Sequence, residues 1–268
     1  VGVIITAINP DGTLNFATVG GINCESLVSK RFRFGDTVGV VATKPIHLLS
    51  GDEKGKLPDK SSLQIDIGAA DKAEAEQYVR VGDLGTFDTD YSAFGDGRIL
   101  SRALDDRLGC AVLMELIDED LPYDAYFTFS VQEEVGCRGS MTATYKIAPT
   151  EAICVDVTGT GDTPNSAPMA CALGKGAAIK IKDRSVICHE EVVKALDAIA
   201  KENKIPVQKE ILIAGGTDTS SMQLTGAGCK AGAVSIPTRN VHTSVECCDM
   251  GDVEASVKLI EKYLIARG

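Results

Sequence analysis

The chain has 268 residues, enough for one large domain or two modest ones, and its 44% apolar and 24% charged content is that of a globular protein with a substantial core. Thirty-eight acidic against 27 basic side chains leave a net charge of −11. That argues against a nucleic-acid partner, whose binding rests on Lys and Arg neutralising phosphates. No apolar run reaches the roughly 18 residues of a membrane span. Nine cysteines, single except for Cys247-Cys248 and without a C-x-x-C pair, point to reduced thiols in a cytoplasmic protein and give no basis for zinc on cysteine.

Residues 2–45 read as all-β. GVIITAI and LNFATV flank the turn NPDG, with Asp11-Gly12 as the hairpin signal. LVSKRFRF and VGVVAT continue the pattern on either side of Gly35-Asp36. SGDEKGKLPDKS, at 50–61, is polar and Gly/Pro-bearing, an exposed loop. LQIDIG is a short strand, DKAEAEQY (71–78) a helix opened by Asp71, and VRVGDLGTFD a return to strand and turn. Residues 5–94 therefore form a β-rich module.

From about residue 95 strands and helices alternate. ALDDRLGCAVLMELIDE has apolar residues at helical spacing. The run 126–131 reads as a buried strand, cut off by Gln132, Glu133 and Glu134, with Gly136 and Gly139 turning into the helix SMTATYKI. EAICVDVT, CALGKGAAIKIKD, VQKEILIA and GCKAGAVSIP read as strands, EEVVKALDAIAKENK (190–204) as an amphipathic helix and DVEASVKLIEKYLIARG as a C-terminal helix. The alternation predicts an α/β fold, a mostly parallel sheet flanked by helices.

Four element ends in this part present an acid or an imidazole: Asp105, Glu133 with Glu134, Asp156 and His242. Each has a simpler reading when taken alone. Asp105 and Asp106 cap helices routinely, with Arg107 as their ion-pair partner. Asp156 ends an apolar strand, and a lone His such as His242 is more often structural than a ligand. Taken together they form the donor set of a divalent-cation site suited to Zn, Co or Mn. Adjacent carboxylates repel unless a cation or proton intervenes, so in a two-cation centre one Glu ligates while its neighbour acts as general base. The stretch GGTDTSSMQLTGAG (215–228) is a pocket-lining candidate, without the Lys of a P-loop or the spacing of a dinucleotide fingerprint. Glycosidase chemistry fits poorly, because neighbouring Glu133 and Glu134 do not face each other across a cleft.

The stretches GRILSRALDDRLGC, VQEEVGCRGS, ICVDVT, GGTDTSSMQLTGAG and IPTRNVHTSVE, in this order, resemble the tetrahedral, dinuclear-metal aminopeptidases. That family includes glutamyl and deblocking aminopeptidases and members described as CelM-type endoglucanases. VGGI, TKPIHLL, IDIGA and VRVGDLGTFD extend the resemblance through the β-rich module, so it covers essentially the whole chain. It implies a zinc-peptidase-like catalytic domain (1–4 and 95–268) with 5–94 as an inserted dimerisation module. It further implies peptide substrates trimmed from the N-terminus, and dimers assembling into a dodecamer. It also implies two divalent ions, zinc or cobalt. Asp105 would bridge them, Glu134 and His242 would hold one, Asp156 the other, and Glu133 would be the general base.

The chain departs from the family pattern at one point. The family carries a His-x-Asp motif just before the strand that begins at Val1, its His completing the subsite of Asp156 and its Asp orienting that His. Neither residue is in this sequence. The expectation is that an upstream segment supplies them, and that a product starting at Val1 binds one metal well and is nearly inactive. The rivals to the aminopeptidase reading are a non-catalytic assembly or binding subunit with an incomplete site, and another metallo-amidase.

Overall fold

The structure, a computed structural model, describes residues 1–166 and 169–268. It divides into two compact units, Val1–Asp90 with His242–Val245, and Tyr91–Val241 with Glu246–Gly268.

The first unit is a closed six-stranded barrel of β1 (Gly2–Ile8), β2 (Leu14–Val19), β3 (Arg31–Phe34), β4 (Thr37–Ala42), β5 (Gln64–Asp66) and β6 (Leu84–Phe87), in the order β1-β2-β5-β4-β3-β6. The predicted hairpin forms at Asp11-Gly12. Gly12 takes φ +82°, the left-handed region that a glycine enters without a Cβ penalty, and Asp11 Oδ1 accepts the Thr13 N–H at 3.1 Å. Strands alternate inward apolar residues with outward polar ones, so Val3, Ile5, Leu14, Phe32, Val41, Ile65 and Phe87 fill the interior. The Phe32 and Phe87 rings stack at 4.5 Å. The expected helix is α1 (Lys72–Tyr78), capped by Asp71, whose carboxylate accepts the Glu74 N–H at 2.9 Å. Residues 1–4, expected in the α/β part, belong to the barrel unit, because Gly2 to Ile4 pair with Val19 to Ala17 of β2.

The second unit contains β7 (Ser92–Phe94), β8 (Arg98–Ser101), α2 (Leu104–Leu116), α3 (Arg138–Ile147), β9 (Glu151–Thr158), β10 (Ala177–Lys182), α4 (Glu190–Glu202), β11 (Val207–Ile211), α5 (Thr219–Met222), β12 (Lys230–Arg239), β13 (Glu246–Asp249) and α6 (Met250–Ala266). Its seven-stranded sheet runs β11-β10-β12-β13-β8-β7, with β9 also on β12. The expected mostly parallel sheet is instead mixed. β10–β11 and β9–β12 are parallel, whereas β10–β12, β12–β13, β8–β13 and β7–β8 are antiparallel. Connection length is the reason. A parallel pair needs a crossover of about a dozen residues or more, as α4 supplies between β10 and β11. The short links 95–97 and 240–245 allow only antiparallel returns.

The core of this unit joins Leu108, Val112 and Leu116 of α2, Leu196 of α4, Ile236 of β12 and Leu259 of α6 with their neighbours. A buried ion pair also lies within it, Lys180 with Glu210, side by side in the β10–β11 register. The stretch 126–131, expected as a buried strand, is not one. Tyr126, Phe129 and Val131 are exposed, and no strand pairs with the segment among the described residues. An apolar run becomes a strand only where a neighbour accepts its ladder of hydrogen bonds.

Candidate active site

Asp105 and Asp106 open α2 with non-helical backbone, and a cis peptide joins them. Asp106 does what a helix-opening acid is expected to do, accepting the Gly109 N–H at 3.0 Å. A Cβ at position 109 would fall within 2.8 Å of that carboxyl group, so the glycine leaves it room. Asp105 does not cap. Its own N–H donates to Glu246 Oε2 of β13 at 3.0 Å. Arg107, expected to pair with these acids, instead donates to Ala103 O at 2.8 Å and Ser101 Oγ at 2.9 Å.

Glu133 and Glu134 lie on one 3-10 turn, Glu133–Val135, bracketed by left-handed residues Gln132, Gly136 and Cys137. Gly139 closes this loop. Its N–H donates to Val131 O at 2.9 Å, and a Cβ there would meet the Val131 backbone at 2.5 Å. Asp156 sits in β9, 8% exposed, paired in register with Ser235 of β12 and accepting the Val157 N–H at 2.7 Å.

Within the second unit these segments converge. Asp105, Asp106 and Asp156 each offer a carboxylate oxygen, all within 4.8 Å of one another, and Asp105 and Glu134 approach each other within the same distance. Glu133, Cys137 and Asp218 form an adjoining group on the same criterion. Among the described residues no Lys or Arg pairs with Asp106, Glu133, Asp156 or Asp218.

Buried acids without a cation hold their protons. Asp156 is pushed well above the usual carboxylate range by burial and then by Asp106, Asp105 and Glu133. Asp106 is raised in the same way, burial outweighing the Gly109 N–H. Burial, then Asp218 and Glu134, lift Glu133 to about 7. A thiol buried beside Glu133 follows suit, Cys137 rising to about 12. Oxygen donors at this density fit divalent cations, which take carboxylate ligands and remove the repulsion.

His242 follows β12 in the loop 240–245 and groups with the barrel unit. Its Nδ1 hydrogen-bonds Gly21 O at 2.8 Å. A carbonyl can only accept, so Nδ1 carries the proton and Nε2 holds the lone pair in the neutral ring, the tautomer a ligating imidazole needs.

Two residues of the cluster escaped the sequence reading as individuals. Asp218 lies in the polar 215–228 stretch, where an acid attracts no notice, and Cys137 carried no motif. The only available signal for Asp218 was its position at a helix start whose cap it does not make.

Residues 1–259 match the M42 glutamyl aminopeptidase family. A relative from Acetivibrio thermocellus is 47% identical over 262 residues, covering 97% of this chain and 78% of its own. Aminopeptidase APDkam598 from the archaeon Desulfurococcus kamchatkensis superposes with a TM-score of 0.93 at 36% identity, over 98% of this chain and 76% of that one. The Pyrococcus horikoshii TET1 peptidase, which can assemble into a tetrahedron or a large octahedral shell, superposes at 0.89 with 32% identity, over 98% and 80%. The convergence of acids from four separate segments and this whole-length match lead to one conclusion: the chain belongs to the M42 glutamyl aminopeptidase family.

Proposed function

We propose that the protein is a metal-dependent aminopeptidase that removes N-terminal residues from peptides, using two divalent ions and Glu133 as general base. The observation that carries the reading is the convergence of carboxylates, buried Asp156 with part-buried Asp105 and Asp106, beside Glu133 and Glu134. In this reading Asp105, Asp156, Glu134 and, through the IPTRNVHTSVE motif, His242 would hold the ions. Zinc, cobalt and manganese all suit carboxylate and imidazole donors.

Bound there, such ions would polarise the scissile carbonyl and acidify the attacking water. The side chains supply the rest. Glu133 takes the proton of the water and returns it to the leaving amine, from a turn that sets it beside Glu134. Gln132, Gly136 and Cys137 in left-handed backbone hold the 133–135 turn, so Glu133 and Glu134 reach one centre from adjacent positions. Glu246 sets the Asp105 backbone from behind.

The protein also self-associates in this reading, with the β-rich module of residues 5–94 making dimers that build a dodecamer; the assembly of the Pyrococcus horikoshii relative supports it. No helix among the described residues is long and apolar enough to cross a membrane. The nine cysteines are unpaired thiols, in keeping with the cytoplasm.

Metal content per chain after dialysis against zinc or cobalt tests the reading, together with release of p-nitroaniline from amino-acid p-nitroanilides. Bound metal with chelator-sensitive release supports it. A protein that binds no metal and releases nothing refutes it.

A further inference from the structure

The two faces of the second unit's sheet differ in character. Successive residues of a strand point to opposite sides. Val157 of β9, with Val234 and Ile236 of β12, belongs to the apolar core on one side. Asp156 and Ser235 alternate with these residues and are partners in the β9–β12 register, so they share the other side. Ser235 is fully buried there, and its Oγ has no hydrogen-bond partner among the described residues. The register gives this hydroxyl little choice. Ala178 of β10 stands beside Ser235 on the strand opposite β9. Ala233 and Pro237 flank it on the same face of β12. Of these neighbours only Asp156 has a polar side chain.

Asp156 is placed to use it. Among the described residues its carboxyl group takes one hydrogen bond, from the Val157 N–H at 2.7 Å. A carboxylate that ligates a cation is itself held by donors, which fix the direction of its lone pairs. Neighbouring strands lie about 4.8 Å apart, so side chains this short on one face meet after rotation about a Cα–Cβ bond. A buried hydroxyl without a partner is a cost to the metal-free fold, one that alanine would not carry. The same hydroxyl becomes useful once Asp156 is ionised and turned towards a metal ion.

We propose that Ser235 is a positioning residue of the metal centre, its hydroxyl donating to the carboxylate of Asp156 when that group holds a cation. The inference rests on the reading of Asp156 as a metal ligand and names the group that orients it.

Ser235→Ala is the test, read with and without metal. In chelator the variant should melt at or above the wild-type midpoint, because the hydroxyl it removes has no partner there. Its zinc affinity, from competition with a chromophoric chelator, should be lower by about 10-fold. In an Asp156→Asn background the same change should leave zinc affinity where it was, since Ser235 acts through that carboxylate. Zinc affinity within about 3-fold of wild type overturns the assignment. So does a lower midpoint in chelator, which would assign the hydroxyl to packing, or an undiminished effect beside Asp156→Asn. Should Ser235→Ala fail to fold, Ser235→Thr and Ser235→Val decide, being alike in shape and different only in the hydroxyl. Zinc affinity of the Val variant at least about 3-fold below that of the Thr variant supports the role, and a smaller difference overturns it. Wild-type protein that binds no zinc overturns the metal-dependent reading and this one with it. Wild type that binds zinc, with a Ser235→Ala variant that binds it equally well, sinks only the role of Ser235.

Discussion

The backbone N–H of Asp105 donates to the carboxylate of Glu246, which is 1% exposed on β13. Asp105, proposed as a metal ligand, is therefore set by a neighbouring strand as well as by its own helix. Glu246→Gln keeps an acceptor oxygen and should bind zinc within a few-fold of wild type. Glu246→Ala should lose about 10- to 100-fold in zinc affinity, the usual scale for groups that orient a ligand. Competition titration with a chromophoric chelator reads both. Equal zinc affinity in the Ala variant would remove the orienting role.

Glu133→Gln should lower kcat by about 100- to 10,000-fold while metal content stays at the wild-type value. Its adjacent partner, Glu134→Gln, should instead reduce metal content. Elemental analysis beside steady-state kinetics separates the two, and a Glu133 variant that loses metal would contradict the division of labour.

The metal-free protein should become less stable as pH rises. Glu133 moves from an ordinary 4.5 to about 7 in the folded state, and Asp106 and Asp156 shift in the same direction. Folded protein then binds more protons than unfolded protein between these values. The stabilisation is complete below pH 4.5 and is lost as pH climbs through about 7. Thermal melting in chelator should show the midpoint falling across this window, and zinc, which binds the ionised carboxylates, should flatten or reverse the trend. A midpoint in chelator that rises through the same window would contradict the assignment.

Asp156→Asn should act with opposite signs in two assays. At neutral pH buried Asp156 must hold a proton, a cost the amide does not carry, so the metal-free variant should be more stable by about 1 kcal/mol or more. The same change removes a charged ligand and should weaken metal uptake. Denaturant unfolding with chelator and with zinc measures the two effects. Destabilisation under both conditions would mean that Asp156 serves packing alone.

Much of the site was visible in the sequence because an acid interrupting an apolar run is conspicuous. Asp156 inside ICVDVT and Glu133-Glu134 after FTFSVQ stand out in this way, and an expensive burial needs a reason. Asp218 was not visible, because in GGTDTSS an acid is ordinary, and what singles it out is a missing cap and a serine from another helix. The barrel strands were legible from alternation and turn residues. The strand expected at 126–131 was misread because hydrophobicity reports an appetite for burial and says nothing of a pairing partner. The mixed sheet was misread for a related reason. The long connections within β10-α4-β11 and between β9 and β12 allow parallel pairs, whereas the hairpin-length links at 95–97 and 240–245 turn the chain back on itself.

Eight consecutive residues of β9, Glu151 to Thr158, match Lys230 to Pro237 of β12 without interruption. Side chains of a strand alternate faces, so displacing this ladder by a single position would send the Asp156 carboxylate through to the opposite side of the sheet. A lineage carrying this site can therefore lengthen the loop before β9 freely, but inside the strand it can insert or delete residues only in pairs. The parity of one strand is thus inherited along with the chemistry of one aspartate.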